Sequence, residues 1–420
     1  MKRLLSVNSY HYRRGGSDVV YLEHARLMQG LGFEPAYFSM HHPRNEPTPW
    51  SEFFVDEIEF GHAYSLGQKF AKAGKVIYSF EARDKLNRLL DRFPADIAHL
   101  HCIYHHLSPS ILPLLSQRGI PVVLTAHDLK IACPAYKMLN RGGICERCKT
   151  GSVLNVVRHR CVRDSLAASI VVAVESGLHR SLQTWQRNLS VVVCPSRFFV
   201  DKFVEWGWDA ARFVHIPNGV DATQFAPQFA PGDYALYFGR LVSEKGLATL
   251  IRAAHQAGMT LKLAGSGPDE KALRSLAAEL GAAVEFLGYR SGGALHELVR
   301  GARCVVLPSE IYENAPMSVL ESMALGKPVV GARIGGIAEL IEHDQTGWLF
   351  DSGSVAQLAE RLSQLRSCDD TRLAAVGAAA RDHVLQQFSL ERYSQAMLAL
   401  YGRLGVRAAG AGAAPGEAAA

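Results

Sequence analysis

Two carboxylates eight positions apart, Glu313 and Glu321, flank the turn ENAP in the stretch EIYENAPMSVLE. That spacing is wrong for an ion-pairing couple on one helix face. Carboxylates accept hydrogen bonds from hydroxyls in a bidentate way, so the pair suits a sugar or ribose diol. The apolar run before them, RCVVLPS, reads as a buried parallel strand. Pro316 suits the first turn of a helix that should stop at Gly326. The backbone amides of Ala315, Met317 and Ser318 would open that helix and hold phosphate oxygens. A second junction, FGRLVSEKG, sets Arg240 and Lys245 between a strand and a helix, two cations at a positive helix end suited to pyrophosphate. A third, LAGSGPDEKAL, carries Gly265 and Gly267. A base or ribose can lie against such a turn, and a plain tight turn explains the same glycines. A fourth, LGYRSGG, offers Tyr289 and Arg290 as walls for a base or as packing at a strand end.

These junctions need strands and helices in alternation, and the chain supplies them. RLLSV, PAYFS, DIAHLH, PVVLTAH, SVVVCPS and FVHIPNG alternate with helical patterns in the first half; YALYFGR, MTLKLAG, VEFLGY, RCVVLPS, KPVVGAR and GWLF do so in the second. Such alternation predicts an α/β protein with a doubly wound parallel sheet in each half. Its 420 residues allow two domains with ample cores. The join is expected near FAPQFAPGDY, which divides an acceptor-side domain, 1–227, from a donor domain, 228–387. The amphipathic segment 388–407 is expected to cross back to the first domain, and the Ala/Gly-rich tail 408–420 to be disordered. Ligands of open α/β sheets bind beyond the carboxyl ends of the strands. Two such domains facing a central cleft favour an enzyme with two substrates.

Composition is that of an ordinary globular protein, 48% hydrophobic and 20% charged. A net charge of +5 is too mild for a nucleic-acid binder, yet permits contact with anionic lipid. No apolar run approaches the length of a membrane span, and the apolar part of MKRLLSVNSYHYRR is too short for a secretory signal. The expected location is therefore cytoplasmic, at most at the inner face of a membrane.

Together, FGRLVSEKG, AGSGPDE, LPSEIYENAPMSVLESMALGKPVV and GGIAELI resemble the family-four (GT4) retaining glycosyltransferases, whose fold is GT-B. The resemblance spans nearly the whole chain and is densest in the second half. Glu313 and Glu321 match the family's E-x7-E pair, and HIPNGVDATQF matches the segment before the interdomain linker. The resemblance implies transfer of a sugar from a nucleotide-sugar donor with retention, a hexosyltransferase-type activity without a catalytic metal. It implies that Glu313 holds donor-sugar hydroxyls, Glu321 the ribose, and that Arg240 and Lys245 stabilise the leaving diphosphate. Gly15 and Gly16 in YHYRRGGSDVV resemble the family's glycine loop, although a generic turn also fits. His127 in TAHD matches the family's histidine near the transferred sugar, with Asp128 beside it on the acceptor side. His101, within HLHCIYHH, is assigned to the same side; packing or acceptor contact explains that histidine-rich run better than a metal does.

No carboxylate stands out as a nucleophile, so front-face attack is expected, with the acceptor proton passing to a phosphate oxygen. The acceptor would be a glycan, a lipid-linked sugar or a small molecule in surface polysaccharide assembly. Two alternatives stay open: a nucleotide-sugar epimerase of the same two-domain fold, and a non-catalytic nucleotide-sugar-binding protein.

One insert departs from the family pattern. In CPAYKMLNRGGICERCKTGSVLNVVRHRC, Cys133, Cys145, Cys148 and Cys161 supply four soft ligands, enough for a structural zinc. Four reduced thiols, or a redox pair at 145 and 148, explain them equally simply. The insert follows TAHD and is expected to shape the acceptor pocket; its arginines read as a solvated loop or as a contact for a lipid-pyrophosphate acceptor.

Overall fold

The computed structural model describes residues 1–57 and 66–407; the tail 408–420, expected to be disordered, lies outside them. The first half contains β1 (Lys2–Val7), β2 (Phe33–Phe38), β3 (Ile97–Leu100) and β4 (Val122–Thr125). A small antiparallel hairpin follows in the cysteine-rich insert, β5 (Leu139–Asn140) with β6 (Gly143–Ile144), and then β7 (Val191–Cys194) and β8 (Phe213–His215). The second half contributes β9 (Tyr234–Phe238), β10 (Thr260–Ala264), β11 (Val284–Gly288), β12 (Cys304–Leu307), β13 (Val329–Ala332) and β14 (Gly347–Phe350).

Outside the hairpin, all of these strands are paired in parallel, in two sheets of order β2-β1-β3-β4-β7-β8 and β11-β10-β9-β12-β13-β14. β3, β4, β7, β12, β13 and β14 are buried along their whole length. Helices on both faces of a parallel sheet demand this, and β-branched runs such as VVLT and VVVC meet it. Each order reverses once, between β1 and β3 and between β9 and β12. A crevice opens where neighbouring strands send their connections to opposite faces. The loops at those four strand ends are YHYRRGG, CIYHH, GRLVSEKG and PSEIYENAP, which hold Gly15, Gly16, Arg240, Lys245 and Glu313 among the residues singled out above.

The chain crosses between the domains twice, side by side: Val220 N–H donates to Phe388 O at 2.8 Å, and Leu390 N–H to Val220 O at 3.2 Å. Helix Leu390–Arg403 then packs on the first domain, where Tyr393, Met397, Leu400 and Tyr401 join Leu4, Phe33, Ile97 and Val123 in one buried cluster. His24 ties this helix down with both ring nitrogens, Nδ1 to the Tyr393 hydroxyl at 2.9 Å and Nε2 to the Tyr401 hydroxyl at 2.8 Å. The same Tyr401 hydroxyl lies 2.6 Å from His99 Nδ1.

Candidate active site

A cavity of 370 Å³ opens between the carboxyl edges of the two sheets. Gly16, His127, Asp128, Tyr136 and Lys137 line it from the first domain, and Arg240, Lys245 and the run from Ile311 to Met317 from the second. A larger cavity, 560 Å³, lies beside the two chain crossings and contains none of the residues predicted for chemistry.

On the donor side, the loops after β9 and β12 lock together. Gly246 takes φ +67° at the end of SEKG, and a Cβ there would stand 2.0 Å from Pro308 O, so only glycine lets the loops meet. Glu310 N–H donates to Glu244 O at 2.9 Å, and the Thr249 hydroxyl donates to Glu310 Oε1 at 2.6 Å. This clamp holds Lys245 Nζ against Glu313 Oε1 as an ion pair. Ser309 Oγ donates to the same carboxylate oxygen at 2.6 Å. The Arg240 side chain is exposed at the cavity wall, and its backbone oxygen accepts from the Tyr237 hydroxyl at 2.9 Å.

The strand expected at 303–309 is Cys304–Leu307, and the helix is Met317–Ala324 with Pro316 as its N-cap. Ala315 and Met317 line the cavity; Ser318 stands one position further in, and its carbonyl accepts from Ser322 Oγ. Glu321 sits in the middle of the helix, half-buried, with no hydrogen-bond or ion-pair partner for its carboxyl among the described residues. Burial pushes its pKa up to about 7.

Gly265 and Gly267 are not among the cavity's lining residues. A Cβ on Gly265 would meet Gly239 O at 1.8 Å, and one on Gly267 would meet Leu241 O at 2.2 Å. Their bareness serves the neighbouring loop, which Leu241 N–H joins through Ser266 O at 3.0 Å. Tyr289 and Arg290 are exposed and line neither cavity.

On the acceptor side, Gly15 is the N-cap of helix Gly16–Gly30, and Gly16 has open space where a Cβ would stand. His127 Nε2 lies 2.8 Å from His101 Nδ1, and His101 stacks between His127 and His99 at ring distances of 5.1 and 4.9 Å. Burial pulls the pKa of His127 down to about 4 and that of His101 well below the usual range, which keeps both rings neutral. Asp128 accepts from the Tyr104 hydroxyl at 2.7 Å and from Lys130 N–H at 2.9 Å; burial outweighs both bonds and raises its pKa to about 6.

Several side chains in the cleft were not singled out from sequence. Asn314 Nδ2 donates to Ala126 O at 2.7 Å, and its Oδ1 accepts from Ser196 Oγ at 2.9 Å, so the loop after β12 is bonded to the opposite domain. Asn218 Nδ2 donates to Ala315 O at 3.0 Å. From the insert, Lys137 pairs with Glu244 at 2.5 Å, and Glu146 accepts from the Tyr312 hydroxyl at 3.0 Å. The N–H groups of Arg197 and Phe198, at the start of a first-domain helix, donate to Glu339 at 2.8 and 2.7 Å. The one available signal was polar side chains in loops at strand ends, ENAP and IPNG, which is where such loops face a cleft.

The thiols of Cys133, Cys148 and Cys161 have raised pKa values, through burial first and then through the neighbouring cysteines of the same group, Cys145 included. The four therefore share one neighbourhood. No three His, Cys, Asp or Glu side chains among the described residues are set at metal-holding positions.

Residues 14–224 match the family described as Glycosyltransferase Family 4, half of the chain, and residues 223–383 match Glycosyl transferases group 1. This chain belongs to glycosyltransferase family 4. Its relatives include a glycogen synthase of Mycobacterium tuberculosis, 30% identical over 67% of this chain and 68% of the relative. The alpha-maltose-1-phosphate synthase of Mycolicibacterium smegmatis is 28% identical over 75% of this chain and 81% of its own length. The putative colanic acid biosynthesis glycosyltransferase WcaL of Escherichia coli is 31% identical over 43% of this chain, and that match spans 49% of WcaL. Among solved structures, sucrose-phosphate synthase from Thermosynechococcus elongatus aligns with a TM-score of 0.72 at 18% identity, over 96% of this chain and 99% of that one. HepE of Anabaena, in complex with UDP and glucose, aligns at 0.67 and 19%, over 96% and 100%. The fold of this family 4 glycosyltransferase is GT-B. None of its described helices is long and apolar enough to cross a membrane.

Proposed function

We propose that the protein moves a sugar from a nucleotide-sugar donor to a glycan or lipid-linked acceptor, with retention, in the assembly of a surface polysaccharide. One observation carries the reading. Lys245 and Glu313, 68 residues apart, meet in the cavity beside Arg240, so a cationic and an anionic group converge on one small volume. A sugar diphosphate needs both: cations for the phosphates and a carboxylate for the sugar hydroxyls.

In the proposed step, the acceptor hydroxyl oxygen bonds to the anomeric carbon on the side of the leaving group. The bond from that carbon to the phosphate oxygen breaks, its electron pair leaves with the diphosphate, and the acceptor proton goes to a departing phosphate oxygen. Arg240 and Lys245 stabilise the growing negative charge, the term that is usually largest in enzymes. Glu313 orients the sugar and Glu321 the ribose. The backbone amides at Ala315, Met317 and Ser318 face the phosphates, and Gly15 and Gly16 let the first domain close over them. His127, neutral and held by His101, stands where the transferred sugar would lie, with Asp128 toward the acceptor. The bonds from Asn314 to Ala126 and Ser196 favour the closed cleft, which excludes water and suppresses hydrolysis of the donor.

The four cysteines of the insert match a structural zinc in type and number, and we include that zinc in the reading as an ion on which the thiols, not set at metal-holding positions here, would have to close. WcaL's name places that relative in colanic acid biosynthesis, which supports a surface glycan as the product here. The test is nucleotide release from UDP-, GDP- and ADP-sugars with and without acceptor extracts. Release that rises with acceptor supports transfer. Conversion of the donor without acceptor indicates an epimerase, and binding without turnover a carrier.

A further inference from the structure

Helix Leu166–Ser181 is built inside out. Its buried side carries Ser169, Glu175, Ser176 and His179, together with Val172 and Ala173. Glu175 is held there by Lys130 at 2.7 Å, both side chains 2% exposed, and Ser176 Oγ donates to the same carboxylate at 3.0 Å. His179 is bonded to Thr184 Oγ1 at 3.0 Å and to Ile77 O at 2.9 Å. These polar bonds fix which side of the helix faces inward. The outward side is then apolar: Leu166, Ile170 and Val174, one turn apart, are each about half exposed, and Leu182 just beyond the helix is 51% exposed. Leu154, in the insert whose short helix packs beside this one, is 65% exposed. Among the described residues, five of the nine large exposed hydrophobics of the first domain gather in this one region.

The charges around this ridge have one sign. Arg158, Arg160, Arg163, Arg180 and Arg187 are exposed. Between Arg147 and Arg187 the carboxylates are Asp164, paired with Arg141, and the buried Glu175. An apolar ridge bordered by arginines, with no free carboxylate among them, complements a surface that is apolar beneath and anionic above.

We propose that this face docks the protein on an anionic lipid bilayer, with Leu166, Ile170, Val174, Leu182 and Leu154 entering the interface and the arginines meeting lipid phosphates. Lys130 links the face to the cleft: it pairs with Glu175 beneath the ridge and stands two residues from Asp128 in the cavity wall. Docking presents the acceptor side of the cleft close to the membrane. This goes beyond the glycosyl-transfer reading, because vesicle binding needs neither donor nor acceptor.

The test is co-sedimentation of the full chain with vesicles of phosphatidylcholine alone and with phosphatidylglycerol added. The expected result is binding to the anionic vesicles that weakens as salt rises from about 0.1 M to about 0.5 M. The double variant Ile170→Glu, Val174→Glu should bind at least about tenfold less. Both positions face solvent, so its circular dichroism and its donor thermal shift should match the parent. Arg158→Gln with Arg160→Gln should weaken binding to anionic vesicles alone. Equal sedimentation of parent and double variant, or no sedimentation of either, overturns the proposal. A parent dimer that the double variant converts to monomer, without vesicle binding, overturns it in favour of a second copy of the chain.

Discussion

The unpartnered carboxyl of Glu321 makes a prediction that couples stability to ligand binding. Its folded pKa of about 7 stands about 2.5 units above the ordinary value of 4.5, and each unit corresponds to about 1.4 kcal/mol. The folded protein therefore holds a proton that the unfolded chain releases. Below pH 4.5 both states are protonated and nothing is lost. Stability falls as pH climbs from about 4.5 to about 7, and above that the fold carries a burden of about 3 kcal/mol. Glu321→Gln removes the charge while keeping the shape. Urea unfolding at pH 8 should show the variant more stable by up to about 3 kcal/mol, and at pH 5 the difference should shrink below about 1 kcal/mol. If the carboxylate is retained for the ribose, the same variant should lose a charge-assisted hydrogen bond of about 1.5 to 3 kcal/mol. Donor Kd by calorimetry at pH 8 should then rise by about tenfold to about a hundredfold. Equal stability of the two proteins at pH 8 would refute the burden, and an unchanged donor Kd would refute the ribose contact.

Glu313→Gln should cut turnover by at least about a hundredfold while shifting the unfolding midpoint little, since the variant can still accept from Ser309; equal loss of both would mark a structural residue. Lys130→Met leaves the Glu175 carboxylate buried and unpaired, and should cost about 3 to 5 kcal/mol in denaturant unfolding, with Glu175→Gln added back recovering part of it. Gly246→Ala puts a Cβ 2.0 Å from Pro308 O in a left-handed turn, so it should destabilise by more than about 1 kcal/mol and weaken donor binding with it. Metal analysis of the purified chain should find one zinc per molecule that is lost from Cys145→Ser; a metal-free protein with the same stability would exclude it.

Twelve strands of the two sheets were legible because buried parallel strands are short, continuous, β-branched runs, and VVLT, VVVC and CVVL are of that kind. The clustering of Arg240, Lys245 and Glu313 was legible for the same reason: once strands alternate with helices, the residues after them share one edge. What local pattern could not express is which loops touch. Gly265 and Gly267 looked like room for a ligand, yet the room is filled by the loop of Gly239 and Leu241. Asn314 looked like turn chemistry, but its side chain bridges the domains. Helix Leu166–Ser181 has amphipathic spacing, yet which face turns inward is decided by Lys130, far away in the sequence.

The closing of the first domain by helix Leu390–Arg403 sets an order of events during synthesis. The sheet of β1, β3 and β4 is covered by Tyr393, Met397, Leu400 and Tyr401, which leave the ribosome only after the entire donor half. Residues 234–388 contain every strand of their own sheet and the helices whose Leu358, Leu362, Leu373 and Val384 close its core, so that half has all its parts before helix Leu390–Arg403 emerges. The half translated first is thus the half completed last, and until then its apolar face has no lid.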